Sequence, residues 1–375
     1  MGRMVWLFLL IPALPAVGML YQWMGALHDR RRFLGLGRLV DVGDGRRIYV
    51  SDMGREMESG PTVIFESGIA ATSQNWLRVQ EAVATFTRAV SYDRDGLGWS
   101  SACVCERTPS NIARELRELL QRAGVPGPYV LVGHSFGGLV VRRYAAMYPD
   151  EVEGVVLVDP MRTEEWPPVN ERQRALLERG IRMAGYGTQV ARFGLARLAT
   201  TSLLCRSGKA SRAFSRAAGN AGIHVMQRIT CEVGKMPRAV WPIVAAHWAS
   251  PKYYQGLAAH LEAVTATVTE MQRAEAIEGM PVVLLTPATA EPLSSDRLRR
   301  IGPEVRQVIA EKSGHWVHLD EPELVLETIR SMVEQVSRTQ VPPVASPYHA
   351  EAGVLREVDS DPEGAPANAV PIPVS

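Results

Sequence analysis

Between an apolar run, Tyr129 to Val132, and a helix-like stretch, Leu139 to Tyr148, the chain carries Gly133-His134-Ser135-Phe136-Gly137-Gly138. A strand that reverses into a helix within so few residues needs small side chains at the bend, and the glycines supply them. This part of the chain is thereby committed to strand, sharp turn and helix, with Ser135 at the apex. A serine there stands clear of its own backbone, and the following helix opens with N–H groups that have no partner inside the helix. Ser135 is the candidate nucleophile. The plainer alternative is a glycine-rich turn without chemistry.

A serine hydroxyl attacks only when a base removes its proton, which directs the search to a downstream histidine. His315, in Ser313-Gly314-His315-Trp316, follows the strand-like Val305 to Ala310 and precedes a helix opened by Pro322, so it falls in a loop just past a strand end. His318 competes, but its place in His318-Leu319-Asp320-Glu321-Pro322 suits a structural role at the start of the last helix. His134 adjoins the nucleophile yet points elsewhere. His224, His247 and His260 lie in a helical region, and His28 and His349 in terminal segments.

Short apolar runs alternate with helix-like stretches from residue 34 onward, the pattern of a mostly parallel sheet wrapped by helices. Arg38 to Val42 and Arg47 to Ser51 predict a hairpin around Gly43-Asp44-Gly45. Thr62 to Glu66, Ala89 to Tyr92, Tyr129 to Val132, Val155 to Val158, Pro281 to Thr286 and Val305 to Ala310 predict parallel strands, eight strands in all. Pro109 to Ala123 reads as a helix, begun by Thr108-Pro109 and ended by Gly124. Between Asp159 and Gly279 the strand pattern lapses into arginine-rich helical runs: Glu171 to Ala184, Val190 to Leu203 and Leu257 to Ile277. From Val341 the chain holds seven prolines among small and acidic residues, which predicts a disordered tail over 341–375.

Charge excludes one class of partner. With 41 basic and 40 acidic residues and a net charge of +1 there is no bulk field to hold nucleic acid. Four cysteines do not make a disulfide framework, and no Cys/His spacing resembles a zinc site. Cys103 and Cys105 are too close for an easy bridge; Cys205 and Cys231 either pair or stay as free thiols.

Met4 to Leu27 runs 24 residues without a charge, enough for a helix to cross a hydrocarbon core of about 30 Å. The sequence therefore predicts a single-pass membrane anchor over 1–33, with a cleaved signal peptide as the rival, a buried or surface-lying helix as the third reading, and Trp6, Tyr21 and Trp23 near the interfaces. Arg30, Arg31 and Arg32 follow the segment while only Arg3 and the amino terminus precede it, which predicts a cytoplasmic catalytic domain.

Four ordered motifs carry a resemblance. Gly-His-Ser-Phe-Gly-Gly, the upstream Phe65-Glu66-Ser67-Gly68-Ile69 with Trp76, the block Tyr92-Asp93-Arg94-Asp95-Gly96-Leu97-Gly98-Trp99-Ser100, and Ser313 to Pro322 resemble the α/β-hydrolase superfamily. Within it they are similar to bacterial, membrane-anchored esterase-like members in which Glu-Ser-Gly replaces His-Gly. The likeness runs from about Arg38 to about Val336. It implies a hydrolase core over 34–160 and 280–340, with a helical cap over 161–279 roofing the serine. It also implies an oxyanion hole from the N–H groups of Phe136 and Ile69, with Trp76 and Trp99 either lining the pocket or packing.

The acid is where the chain departs from the family. After a Pro-Val-Val-Leu-Leu strand relatives place an aspartate, but here that position is Ala290, with Glu291 one residue off. Asp159, at the end of Val155 to Val158, is a place some relatives use and is the favoured acid; Glu291 and Asp296 are the alternatives. The expected function is a serine hydrolase, a carboxylesterase that opens a small-molecule ester or related acyl compound through an acyl-serine, without cofactor or metal. Lactonase, thioesterase, amidase and C–C bond hydrolase chemistry stay open, as does a hydrolase-like binding or signalling protein with slow turnover.

Overall fold

The computed structural model describes residues 2–54, 60–102, 105–163, 169–204 and 232–340, without the side chains of 2–13, 203, 339 and 340. The pairing of Cys205 with Cys231, the placing of Cys103 and the reading of the tail from Val341 lie outside the described residues.

Eight strands form one sheet in the order β1-β2-β4-β3-β5-β6-β7-β8. They are β1 (Arg38–Gly43), β2 (Arg46–Met53), β3 (Thr62–Glu66), β4 (Ala89–Tyr92), β5 (Tyr129–His134), β6 (Val152–Val158), β7 (Val282–Pro287) and β8 (Val305–Ala310). The β1–β2 and β2–β4 pairs are antiparallel and the rest parallel. Strands β3, β5 and β7 are buried throughout, which explains their unbroken apolar runs: helices cover both faces, so neither face needs polar residues.

On one face α3 (Pro109–Ala123) and α4 (Phe136–Met147) set Leu116, Leu120, Val141 and Tyr144 against Ile64, Leu131, Leu157 and Leu284. On the other, α2 (Leu77–Val83) and α12 (Pro322–Gln340) set Val79, Val83, Ile329 and Met332 against Val63, Phe65, Val132 and Val283. From β3 the chain steps outward to β4 and then returns to pair β5 with the opposite edge of β3. The order reverses there, and in such sheets a crevice opens beyond the carboxyl ends of the strands at that point.

Between β6 and β7 lie α5 (Glu171–Arg192), α6 (Leu195–Leu204), α7 (Trp241–Trp248), α8 (Pro251–Glu262) and α9 (Val264–Gln272). The short α10 (Ser295–Ile301) and α11 (Val317–Asp320) flank β8. The run from Leu257 to Ile277, expected as one helix, is broken at Ala263, and the break expected between 184 and 190 falls later. Helix α5 continues through Gly185-Tyr186-Gly187 because a Cβ at Gly187 would come within 2.4 Å of the Tyr254 ring: this glycine serves a close approach to α8, not a helix end. The end comes at Gly194, whose φ of +75° turns the chain into α6.

The N-terminal segment differs from expectation in role. It is a helix, α1 (Gly2–Phe33), but among the described residues no helix is long and apolar enough to cross a membrane. The expectation of a single-pass anchor is therefore corrected, and the membrane as partner, the cell-membrane location and the cytoplasmic orientation fall with it. One face of α1 packs on protein, while Leu14, Val17, Leu20, Trp23 and Met24 are exposed. Gly18 lies against the Phe193 carbonyl and Gly25 beneath the Arg197 guanidinium. Arg197 in turn donates to Gln22 at 3.0 Å and pairs with Asp29. A buried arginine bonded to two polar groups of α1 ties that face of the helix to α6.

Candidate active site

Strand β5 ends at His134, and Ser135 follows with φ +54° and ψ −119°, a conformation outside the regions open to ordinary residues. The turn is held from three sides. Ser135 N–H donates to the Val158 carbonyl at 3.1 Å, and the Ser135 carbonyl accepts from Gly138 at 3.0 Å and Met161 at 3.0 Å. The glycines are steric necessities: a Cβ at Gly133 would lie 2.5 Å from the Gly137 carbonyl oxygen, and one at Gly137 would lie 2.4 Å from that of Glu66. Of the four described non-glycine residues with positive φ, Asp44 is in the β1–β2 turn. The other three, Ala70, Ser135 and Asp159, gather at the carboxyl ends of β3, β5 and β6.

Asp159 ends β6, anchored by its N–H to the Leu285 carbonyl at 2.9 Å. Its Oδ2 stands 2.7 Å from Nδ1 of His315, which sits half exposed in the loop after β8. The structure thus brings together Asp159 and His315, 156 residues apart. Ser135 Oγ and His315 make no hydrogen bond in this conformation, and such contacts commonly tighten only with substrate bound. The alternative acids are elsewhere: Glu291 is exposed and, among the described residues, bonds only through its carbonyl, which accepts from Arg162, and exposed Asp296 pairs with Arg299. His318 is buried between Trp76 and His134, its pKa pushed down to about 3 by burial, and neither ring nitrogen has a hydrogen-bond partner among the described residues.

Phe136 is the first residue of α4, so its N–H is one of those the helix leaves unpaired. Ile69 lies across from it in the loop after β3, on the wall of the same cavity as His315. That loop is gripped by a group whose role the sequence did not reveal. Arg94, 2% exposed, donates from Nε to Oε1 of Glu66 at 2.7 Å, and reaches the carbonyls of Ser67 and of Gly68, the latter at 3.4 Å. Glu66 also accepts from the Tyr92 hydroxyl, which burial and the adjacent carboxylate hold protonated. Beyond the guanidinium lies His260 of α8, 3.4 Å from Nη1. Burial keeps this imidazole neutral, its Nδ1–H donates to the Gly256 carbonyl at 2.8 Å, and its Nε2 is left to accept from Arg94.

His134 is also better employed than its sequence position suggested. Its Nε2 donates to the carbonyl of His315 at 2.8 Å, and its ring packs against His315 and Trp316. Trp76 is wholly buried on Phe65 and His318, so it packs and does not line the pocket; Trp99 stands edge-on to His247. A cavity of about 400 Å³, bounded among others by Ile69, Val233, Met236, Val244, Trp248 and His315, opens beside the site. Among the described residues no three His, Cys, Asp or Glu side chains group as a metal ion would need.

The family model for the alpha/beta hydrolase fold matches residues 61–322. An AB hydrolase superfamily protein of Gibberella zeae is 33% identical over 132 residues, 34% of this chain and 40% of that one. The (lyso)-N-acylphosphatidylethanolamine lipase of Bos taurus is 26% identical over 129 residues, 33% of this chain and 37% of that one. The chain thus spans less than half the length of these curated relatives. Among solved structures, a thermophilic esterase from Thermogutta terrifontis superposes with a TM-score of 0.54 at 20% identity, over 80% of this chain and 99% of that one.

Proposed function

The chain belongs to the alpha/beta hydrolase family, and from that premise we propose that it is a serine hydrolase that opens a carboxylic ester or related acyl compound through an acyl-serine intermediate. The observation that carries the reading is the 2.7 Å contact between Asp159 and His315 beside a serine held on a strained strand-to-helix turn. The carboxylate fixes the proton on Nδ1, leaving Nε2 as the base. His315 takes the proton of Ser135 as Oγ bonds to the acyl carbon, and the carbonyl oxygen gathers charge facing the N–H groups of Phe136 and Ile69. Collapse of that intermediate breaks the bond to the leaving group, which departs with the proton from His315. Water, deprotonated by His315, then attacks the acyl-serine and releases the acid and Ser135. The serine separates this reaction from relatives that use aspartate at the turn.

Fluorophosphonate labelling tests the reading. Wild type is expected to label at Ser135 and hydrolyse p-nitrophenyl esters, and Ser135→Ala to do neither. Absence of labelling and turnover in wild type would favour a binding protein on a hydrolase scaffold.

A further inference from the structure

Three residues spaced four apart on α8, Lys252, Gly256 and His260, meet successive points of the loop that follows β4. At that spacing they share one face of the helix. Lys252 Nζ donates to the carbonyls of Gly98, at 3.0 Å, and of Ser100. Gly256 presses on Gly96, whose carbonyl oxygen would lie 2.7 Å from a Cβ there. His260, wholly buried, faces Arg94, and its ring stands edge-on to Phe136 with centroids 5.7 Å apart. A helix of the β6–β7 insertion is thus fitted along the segment that carries Arg94.

Arg94 is where that fit reaches the site. Its Nε and Nη2 face Glu66 and the Ser67 carbonyl, whereas both longer contacts, to the Gly68 carbonyl and to Nε2 of His260, belong to Nη1 at 3.4 Å each. The Gly68 carbonyl and the Ile69 N–H are the two ends of one planar peptide, so a donor held on that carbonyl sets the direction in which the N–H points. The guanidinium also lies over the Phe136 ring, 5.1 Å from its centroid. It therefore bears on both groups assigned to the oxyanion hole. Nη1 carries two hydrogens, and in a side chain only 2% exposed each needs an acceptor. Taking away Nε2 of His260 would strand one of them, and the guanidinium would turn on its Glu66 anchor at the expense of the long bond to Gly68.

We propose that His260 is a positioning residue for the reaction: by accepting from Arg94 Nη1 it keeps the guanidinium on the Gly68 carbonyl, and so aims the Ile69 N–H at the oxygen that gains charge in the transition state. The inference rests on the serine hydrolase reading and adds a contribution from the insertion, which reaches the chemistry through Arg94. A misdirected donor loses more in the transition state than in the ground state, because the charge on the oxygen develops only there.

The test compares His260→Leu, which removes the acceptor, with His260→Gln, whose amide oxygen can stand where Nε2 does. Two quantities are read on folded protein: kcat and KM for a p-nitrophenyl ester, and the affinity for an aryl trifluoromethyl ketone, whose carbonyl carbon bonds to Ser135 Oγ and leaves an oxyanion in the hole. Losing a whole oxyanion donor costs about 10²- to 10³-fold, and a misdirected one less. His260→Leu is expected to lose about tenfold in kcat and as much in ketone affinity, with KM within about twofold of wild type. His260→Gln should recover most of both. His260→Phe, which keeps a ring against Phe136 but offers no acceptor, should match His260→Leu and replaces it if that variant does not fold. Unchanged kcat and ketone affinity in either folded variant, a rise in KM alone, or a loss that His260→Gln does not relieve would overturn the inference. Those outcomes leave labelling of Ser135 and hydrolysis by wild type intact, whereas a wild type that neither labels nor turns over fails the serine hydrolase reading itself.

Discussion

Replacing Ser135 by alanine removes one oxygen and none of the three backbone hydrogen bonds that hold its turn. Ser135→Ala should therefore lose ester hydrolysis while its melting temperature stays close to wild type; unchanged turnover would end the serine mechanism. Asp159→Asn keeps shape but loses the charge that orients His315, and the expected loss is about 10⁴-fold in kcat. Glu291→Gln and Asp296→Asn, exposed and away from His315, should fall within about twofold of wild type, since surface changes of this kind cost little. A crippled Glu291→Gln beside a normal Asp159→Asn would move the acid to the turn after β7. At this scale the sequence singled out residues whose proposed chemistry needs a fixed type, such as Ser135 and His315. It did not disclose Arg94 or His134, because their work is done through carbonyl groups of Ser67, Gly68 and His315, and a carbonyl leaves no mark in a sequence.

Elements were legible where a local signal ended them and illegible where a neighbour did. Helix α3 starts at Pro109 and stops at Gly124, φ +63°, as its termini announce. Helix α5 runs past two glycines because the reason for Gly187 is Tyr254, 67 positions away. The apolar α1 was misread for the same cause: its partner Arg197 belongs to a distant helix. Arg197→Ala should free α1 from α6, seen as faster amide exchange over residues 14–33, while exchange in the central strands stays unchanged. At the loop after β3, Arg94→Met leaves Glu66 buried without its ion-pair partner, and breaking such a pair costs about 3–5 kcal/mol. Thermal unfolding should register that loss, and kcat should fall more than KM rises in whatever protein remains folded.

The number of strands and the mostly parallel sheet were legible in the apolar runs, whereas the order of β3 and β4 in the sheet was not, and the insertion between β6 and β7 carried helical periods without long-range register. One property belongs to the whole molecule: four histidines, His134, His247, His260 and His318, are buried and held neutral by their surroundings. Their folded pKa values lie below the ordinary 6.5, down to about 4 for His247 and about 3 for His318. Below pH 6.5 the unfolded chain binds protons that the folded chain refuses, so stability present above that pH declines as pH falls toward those lower values. Denaturation midpoints measured from pH 7 to pH 4 should fall steadily, and His318→Phe should flatten the slope; an unchanged slope would show that His318 takes up its proton in the folded state.

Asp159 follows the strand immediately beside the one that leads into Ser135, 24 positions earlier in the chain, and among the described residues the turn after β7 holds no partner of His315. On the proposed assignment, reactive machinery is concentrated in one short stretch of chain plus a single distant histidine. The short run from Thr289 to Pro292, between the strand end and the core residue Leu293, is then spare ground: a tether, an epitope or a docking peptide could be grafted there without disturbing catalysis, an option closed to any relative whose acid resides on that turn.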